Sequence, residues 1–103
     1  MGYTQKGWGP GVYEEGAWAD NPAGDYRPNF KKHVQKAQAE NKPFCYWYGS
    51  KHPHRPYPKG WGEMNGIDPN KLEVPEFLPD NAETRTDLAD YYFAVERMDY
   101  ELQ

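Results

Sequence analysis

The chain has 103 residues, with ten glycines, ten prolines and a formal net charge of -4. A mean hydropathy of -1.14 leaves too few aliphatic side chains for a self-sufficient core in so small a domain. Four Trp, nine Tyr and four Phe exclude a typical disordered chain, and a pI near 5.3 excludes nucleic acid as an electrostatically attracted partner. The composition reads as a piece of a larger folded body. A single cysteine excludes an internal disulfide framework and a Cys-rich zinc site. No apolar run is long enough to span a membrane, and no signal peptide opens the chain, so localisation is not written in these residues.

In chain order, Gly2 to Gln5 reads as a short strand, followed by an irregular loop to residue 28 with turn signals at Gly9-Pro10-Gly11, Asn21-Pro22 and Ala23-Gly24. Residues 29–41 read as a helix. Asn29 caps it, Phe30, His33, Val34 and Ala37 share one face, and Asn41 and Pro43 stop it. Phe44 to Tyr48 reads as a strand with aromatic residues on both faces, which suits a strand buried on both sides in an α/β sheet, and Cys45 within it as an inert buried thiol. Residues 49–80 read as a second long loop, stiffened by prolines at 53, 56, 58, 69, 75 and 79. From Ala82 the chain reads as helix to its end. Asp80 and Glu83 form the expected capping box, and Leu88, Tyr91, Tyr92, Val95, Met98 and Leu102 the apolar stripe.

The chemistry gathers at two strand ends. After the strand at Phe44–Tyr48 come Lys51, His52, His54 and Arg55, set among Pro53 and Pro56. Imidazole exchanges a proton near neutral pH, which suits His54 to protonating a leaving atom; a solvated loop histidine is the alternative. Lys51 and Arg55 suit an anionic substrate, Arg by its planar fork and Lys as a point charge, and His52 is a weaker candidate for ligand contact. Lys59 reads as a solvated cation and His33 as a structural histidine. Lys6 follows the first strand and precedes Gly7-Trp8-Gly9, where glycines allow close approach of a ligand. Asp87, Asp90, Glu96 and Asp99 read mostly as a solvated helix face.

Four segments carry a resemblance to a known family: Gly2 to Gly11, Lys42 to Tyr57 with its P-H-R-P loop, Val74-Pro75-Glu76-Phe77-Leu78-Pro79-Asp80, and Asp87-Leu88-Ala89-Asp90-Tyr91-Tyr92. In order and spacing they resemble the sulfatase family, formylglycine-dependent enzymes of alkaline-phosphatase-like fold, and within it the heparan N-sulfatase-like (sulfamidase-like) branch. The resemblance implies a parent enzyme that hydrolyses sulfate esters or N-sulfates of glycans. A formylglycine made from the Cys of C-x-P-S-R attacks sulfur there, and calcium neutralises the sulfate. It also implies that Lys6 touches the sulfate and the formylglycine, and that His54 binds sulfate and assists the leaving group. Both should then project into one cleft, on strands of one sheet that end at its carboxyl edge. Family members are often secreted, periplasmic or lysosomal.

Three departures stand out. The family's G-K is Gln5-Lys6 here; its His two residues after that Lys is Trp8; and no C-x-P-S-R exists, because Cys45 precedes Tyr46, Trp47 and Tyr48. The calcium ligands of the family are missing as well. The expectation is therefore an internal fragment of a sulfatase catalytic domain, residues 1–103, inactive by itself and prone to self-association. The competing reading is a standalone binding or interaction protein built on sulfatase-like loops without catalysis.

Overall fold

The computed structural model describes residues 1–9 and 11–103. Pro10, the centre of one expected turn, lies outside the described residues. The chain forms two compact units, Met1–Lys51 and His52–Gln103.

The first unit is α/β. Its strands are β1 (Gly2–Gln5), β2 (Asp25–Tyr26) and β3 (Tyr46–Gly49), with helix α1 (Phe30–Ala39) between the last two. The sheet order is β2-β1-β3, and both pairings are parallel. The register runs from Gly2 opposite Tyr46 to Gln5 opposite Gly49. The expected first strand is therefore present with its expected bounds, and it shares a sheet with the aromatic strand, both running the same way.

Alternation along the strands puts Gly2, Thr4, Tyr46 and Tyr48 on one face and Tyr3, Tyr26 and Trp47 on the other. Helix α1 covers the first face. The Phe30 and His33 rings lie 5.0 and 5.4 Å from the Tyr46 ring, and the Tyr46 hydroxyl donates to the carbonyl of Arg27 at 2.6 Å. Gly2 has to be small there, since a Cβ would stand 2.9 Å from both Arg27 and His33. The Asn29 side chain accepts from the Lys32 amide at 2.9 Å, the expected cap. Asn41, at φ 48°, turns the chain out of the helix by the left-handed step that Asn tolerates.

Two expectations about the aromatic strand change. It begins at Tyr46 rather than Phe44, and it lies at the edge of the sheet, with Trp47 59% exposed. Cys45 precedes the strand and is exposed, so it is not a buried thiol. The reason is the face opposite α1, where Trp47 and Tyr26 are open. Strand β2 went unread because two residues carry no periodicity. It follows a turn in which the Asn21 side chain and carbonyl accept from the amides of Ala23 and Gly24, so the turn signals at those residues hold.

The second unit is helical. It contains a single turn, α2 (Trp61–Met64), a 3-10 turn at Pro69–Lys71 and the long helix α3 (Ala82–Leu102). Both short elements lie in what reads from sequence as an unbroken loop. The cap of α3 is Asn81, whose side chain accepts from the Thr84 amide at 2.9 Å. The expected capping box fails because the Asp80 carboxylate is taken by Arg85, at 2.6 and 2.8 Å. Arg85 also donates to the carbonyls of Pro69 and Leu72, tying the 3-10 turn to the helix.

The expected apolar stripe of α3 is not its buried line. Ala89, Asp90 and Ala94 are buried, whereas Tyr91, Tyr92, Val95 and Leu102 are exposed. Helix α2 comes in backbone against backbone: a Cβ on Gly62 would collide with the carbonyl group of Ala89. Only small residues permit that approach, and Trp61 locks it by packing edge-on against Phe93 at 4.6 Å.

Candidate functional site

In the first unit, two chain segments leave the same edge of the sheet. At the carboxyl end of β1, Gln5 adopts φ 56° and swings the chain out of the strand. The Lys6 amide then donates to the carbonyl of Gly49, at the carboxyl end of β3, at 3.0 Å. The Gln5 side-chain oxygen accepts from the Lys51 amide at 3.1 Å. Lys6 and Lys51 thus depart side by side, both exposed. Gly49 is required for this closeness, because a Cβ there would collide with the Lys6 carbonyl.

Lys6 lines a pocket of about 500 Å³ together with Tyr3, Gln5, Trp8, Asn21 and the backbone of Gly7 and Gly9. Trp8 is 48% exposed. An ammonium beside an accessible indole face and two side-chain amides can hold an anion attached to a ring.

The second unit carries His52, His54, Arg55 and Lys59. His54 is exposed, and its Nδ1 makes a short hydrogen bond with the carbonyl of Arg55. The bonds His52–Pro53 and Arg55–Pro56 on either side are both cis. Arg55 does not offer a free fork. Its guanidinium makes a bidentate pair with Asp87 on α3, one bond being 2.7 Å, and lies 4.9 Å over the Tyr57 ring. The hydrogen bonds from Arg55 hold the Asp87 carboxyl below the usual carboxylate range, and those to Asp87 raise the guanidinium. Contact of Arg55 with a substrate would require this pair to open.

His52 is half-buried, 6.0 Å from the Trp61 ring and with its Nε2 3.8 Å from a Glu101 carboxylate oxygen. Those are the surroundings of a packing residue. Lys59 is exposed on the rim of a pocket of about 170 Å³ that includes Tyr57, Asp87 and Asp90. His33, on α1, packs against Tyr46 and Phe44, with a buried Nε2 that has no partner among the described residues.

Sequence reasoning missed Asp87 and Asp90. The Asp87 side chain stays about half exposed but is engaged by Arg55, and Asp90, 3% exposed, is not on a solvated face: it accepts from the amides of Gly60 and Gly62 at 3.0 and 2.8 Å. Their spacing of three residues, on one face of a helix, is the signal that was available. No group of three or more His, Cys, Asp or Glu able to hold a metal occurs among the described residues. The calcium implied by the sulfatase resemblance therefore finds no such ligand group among the described residues. Among the described residues no helix is long and apolar enough to cross a membrane. No family model, curated protein or solved structure matches the chain.

Proposed function

We propose that the chain is part of a sulfatase catalytic domain of alkaline-phosphatase-like fold, acting on sulfate esters or N-sulfates of a glycan, to which Lys6 and His54 contribute sulfate-handling side chains. Lys6 offsets the negative charge of the sulfate as a point charge. His54, when protonated, delivers the Nε2 proton to the oxygen or nitrogen that leaves as the bond to sulfur breaks. Lys51, beside Lys6, adds a second cation for the glycan, and His52 and Arg55 frame the loop that carries His54. The nucleophile and the calcium belong to parts of a parent protein outside these residues.

The observation that carries this reading is the parallel, in-register pairing of β1 with β3. Ligands of open α/β sheets bind outside the carboxyl ends of the strands. Lys6 leaves β1 at that edge, and the segment leading to His54 leaves β3 beside it. The Gln5 backbone adds support. The resemblance puts glycine at this position, and φ 56° is the conformation glycine adopts at least cost.

The test is a titration of the full chain with inorganic sulfate and with N-sulfoglucosamine, followed by NMR at the Lys6 and His54 side chains. Each side chain should shift as sulfate is added, and Lys6→Ala and His54→Gln should each weaken binding. A residue that gives no response is rejected as a sulfate contact, and silence at both rejects the sulfatase reading. The second reading, a binding module without catalysis, separates in the flanking DNA: a C-x-P-S-R in frame with this chain supports the enzyme, and an intact flanking open reading frame without one supports the module.

A further inference from the structure

His54 is mounted by a network that reaches well beyond its own loop. Its Nδ1 meets the carbonyl of Arg55. The Arg55 side chain is clamped by both oxygens of Asp87 and stacked on Tyr57. The Tyr57 hydroxyl closes the loop by donating to the carbonyl of Pro53 at 2.5 Å. Three residues further along α3, Asp90 grips the amides of Gly60 and Gly62. Residues 53–62 are therefore fastened to one face of α3 by two carboxylates.

We propose that Arg55, Asp87 and Tyr57 are positioning residues that hold His54 as its Nδ1–H tautomer, leaving Nε2 as the nitrogen that exchanges a proton with the reacting group. A carbonyl oxygen only accepts, so the nitrogen facing it has to carry the hydrogen. A neutral imidazole has one N–H, so Nε2 then holds the lone pair. Protonation adds the second hydrogen at Nε2, and that proton is delivered when the bond to the leaving atom breaks. The carbonyl of Arg55 stays in place because the side chain of the same residue is pinned at two points. That His54 meets a sulfated substrate rests on the function proposed above; the tautomer does not.

The experiment uses the full chain labelled with ¹⁵N histidine, whose three histidines give a simple spectrum, His54 being assigned by its loss in His54→Gln. At a pH where the ring is neutral, the wild-type chain should show His54 as Nδ1–H at an excess of tenfold or more over Nε2–H. An even mixture, or an excess of Nε2–H, overturns the proposal before any variant is made. Asp87→Ala should release the loop and bring His54 to within about threefold of an even mixture, and Asp87→Glu should restore the excess. Where Asp87→Ala unfolds α3 by circular dichroism, Arg55→Lys is read in the same way, because it keeps the charge and the carbonyl but not the fork. A tautomer ratio unchanged in a folded variant shows that the clamp is structural only, and rejects the positioning role. A tautomer held as expected with no response of His54 to sulfate keeps the clamp and rejects the sulfate role of His54 instead.

Discussion

The two units reach order by different means. In the first, the backbone does most of the work: three short parallel strands pair around β1, yet Trp47, Tyr26, Phe30 and Phe44 are all about half exposed. In the second, carboxylates and guanidinium groups fasten loops to a long helix, through Asp90 to the Gly60 and Gly62 amides, Arg85 to the Pro69 and Leu72 carbonyls, and Asp87 to the Arg55 side chain. Hydrophobic burial is thin in both, with Ala23, Pro69, Ala89 and Ala94 the buried apolar side chains among the described residues. A chain poor in aliphatics can still specify local structure, by pairing backbone groups in one place and by capping them with side chains in another.

This contrast predicts where each unit is weakest. The largest effect is expected at Asp90. Asp90→Ala leaves the buried Gly62 amide and the half-buried Gly60 amide without acceptors and should cost the second unit about 3 kcal/mol, read as loss of amide-exchange protection at Gly60, Gly62 and the middle of α3. Unchanged protection there would mean that packing, not the carboxylate, holds the loop.

Next is Gly49→Ala, which drives a methyl group into the Lys6 carbonyl. It should cost about 2 kcal/mol and unzip the carboxyl end of the β1–β3 pair, seen as faster exchange of the Lys6 amide. If that amide stays protected, the closeness of Lys6 and Lys51 does not depend on glycine.

Acid should loosen the second unit through Asp80 and Asp87. Hydrogen bonds from Arg85 and Arg55 hold both carboxyls below their ordinary value of 3.8. The folded state therefore binds fewer protons than the unfolded one near that pH. The stabilisation is complete above the ordinary carboxylate pKa and is lost as pH falls through and below it. Arg55 and Arg85 side-chain NMR signals should sharpen toward those of free guanidinium over that range. Signals that stay dispersed in acid would show that the pairs contribute nothing to order.

The smallest effects separate the two helices. Asn29→Ala and Asn81→Ala each remove a side-chain cap and should cost about 1 kcal/mol. In α1, with ten residues, that loss should lower helix content throughout. In α3, with 21 residues, it should fray the first turn alone. Equal fractional losses by circular dichroism and amide exchange would blur the distinction.

The features legible in the sequence are those encoded by neighbours along the chain. The strand Gly2–Gln5, the Asn29 cap, the face of Phe30 and His33, the turn at Asn21–Gly24 and the reach of the last helix all rest on local rules of cap, period and turn. The placement of Lys6 and of the loop after Tyr48 at strand ends was legible for the same reason. Tertiary structure alone decided the rest. Strand β2 exists because β1 offers it a backbone partner, not because two residues favour a strand. Trp47 is open because it stands on the face of the sheet opposite α1. The buried line of α3 runs through Ala89, Asp90 and Ala94 because α2 approaches closely enough for only small residues and one capping carboxylate to fit. Arg55 reads as a free cation until Asp87, 32 residues away, closes on it. Periodicity reports which residues share a face, but the partner that meets the face, and the charge that meets a charge, are fixed by distances that sequence neighbours do not encode.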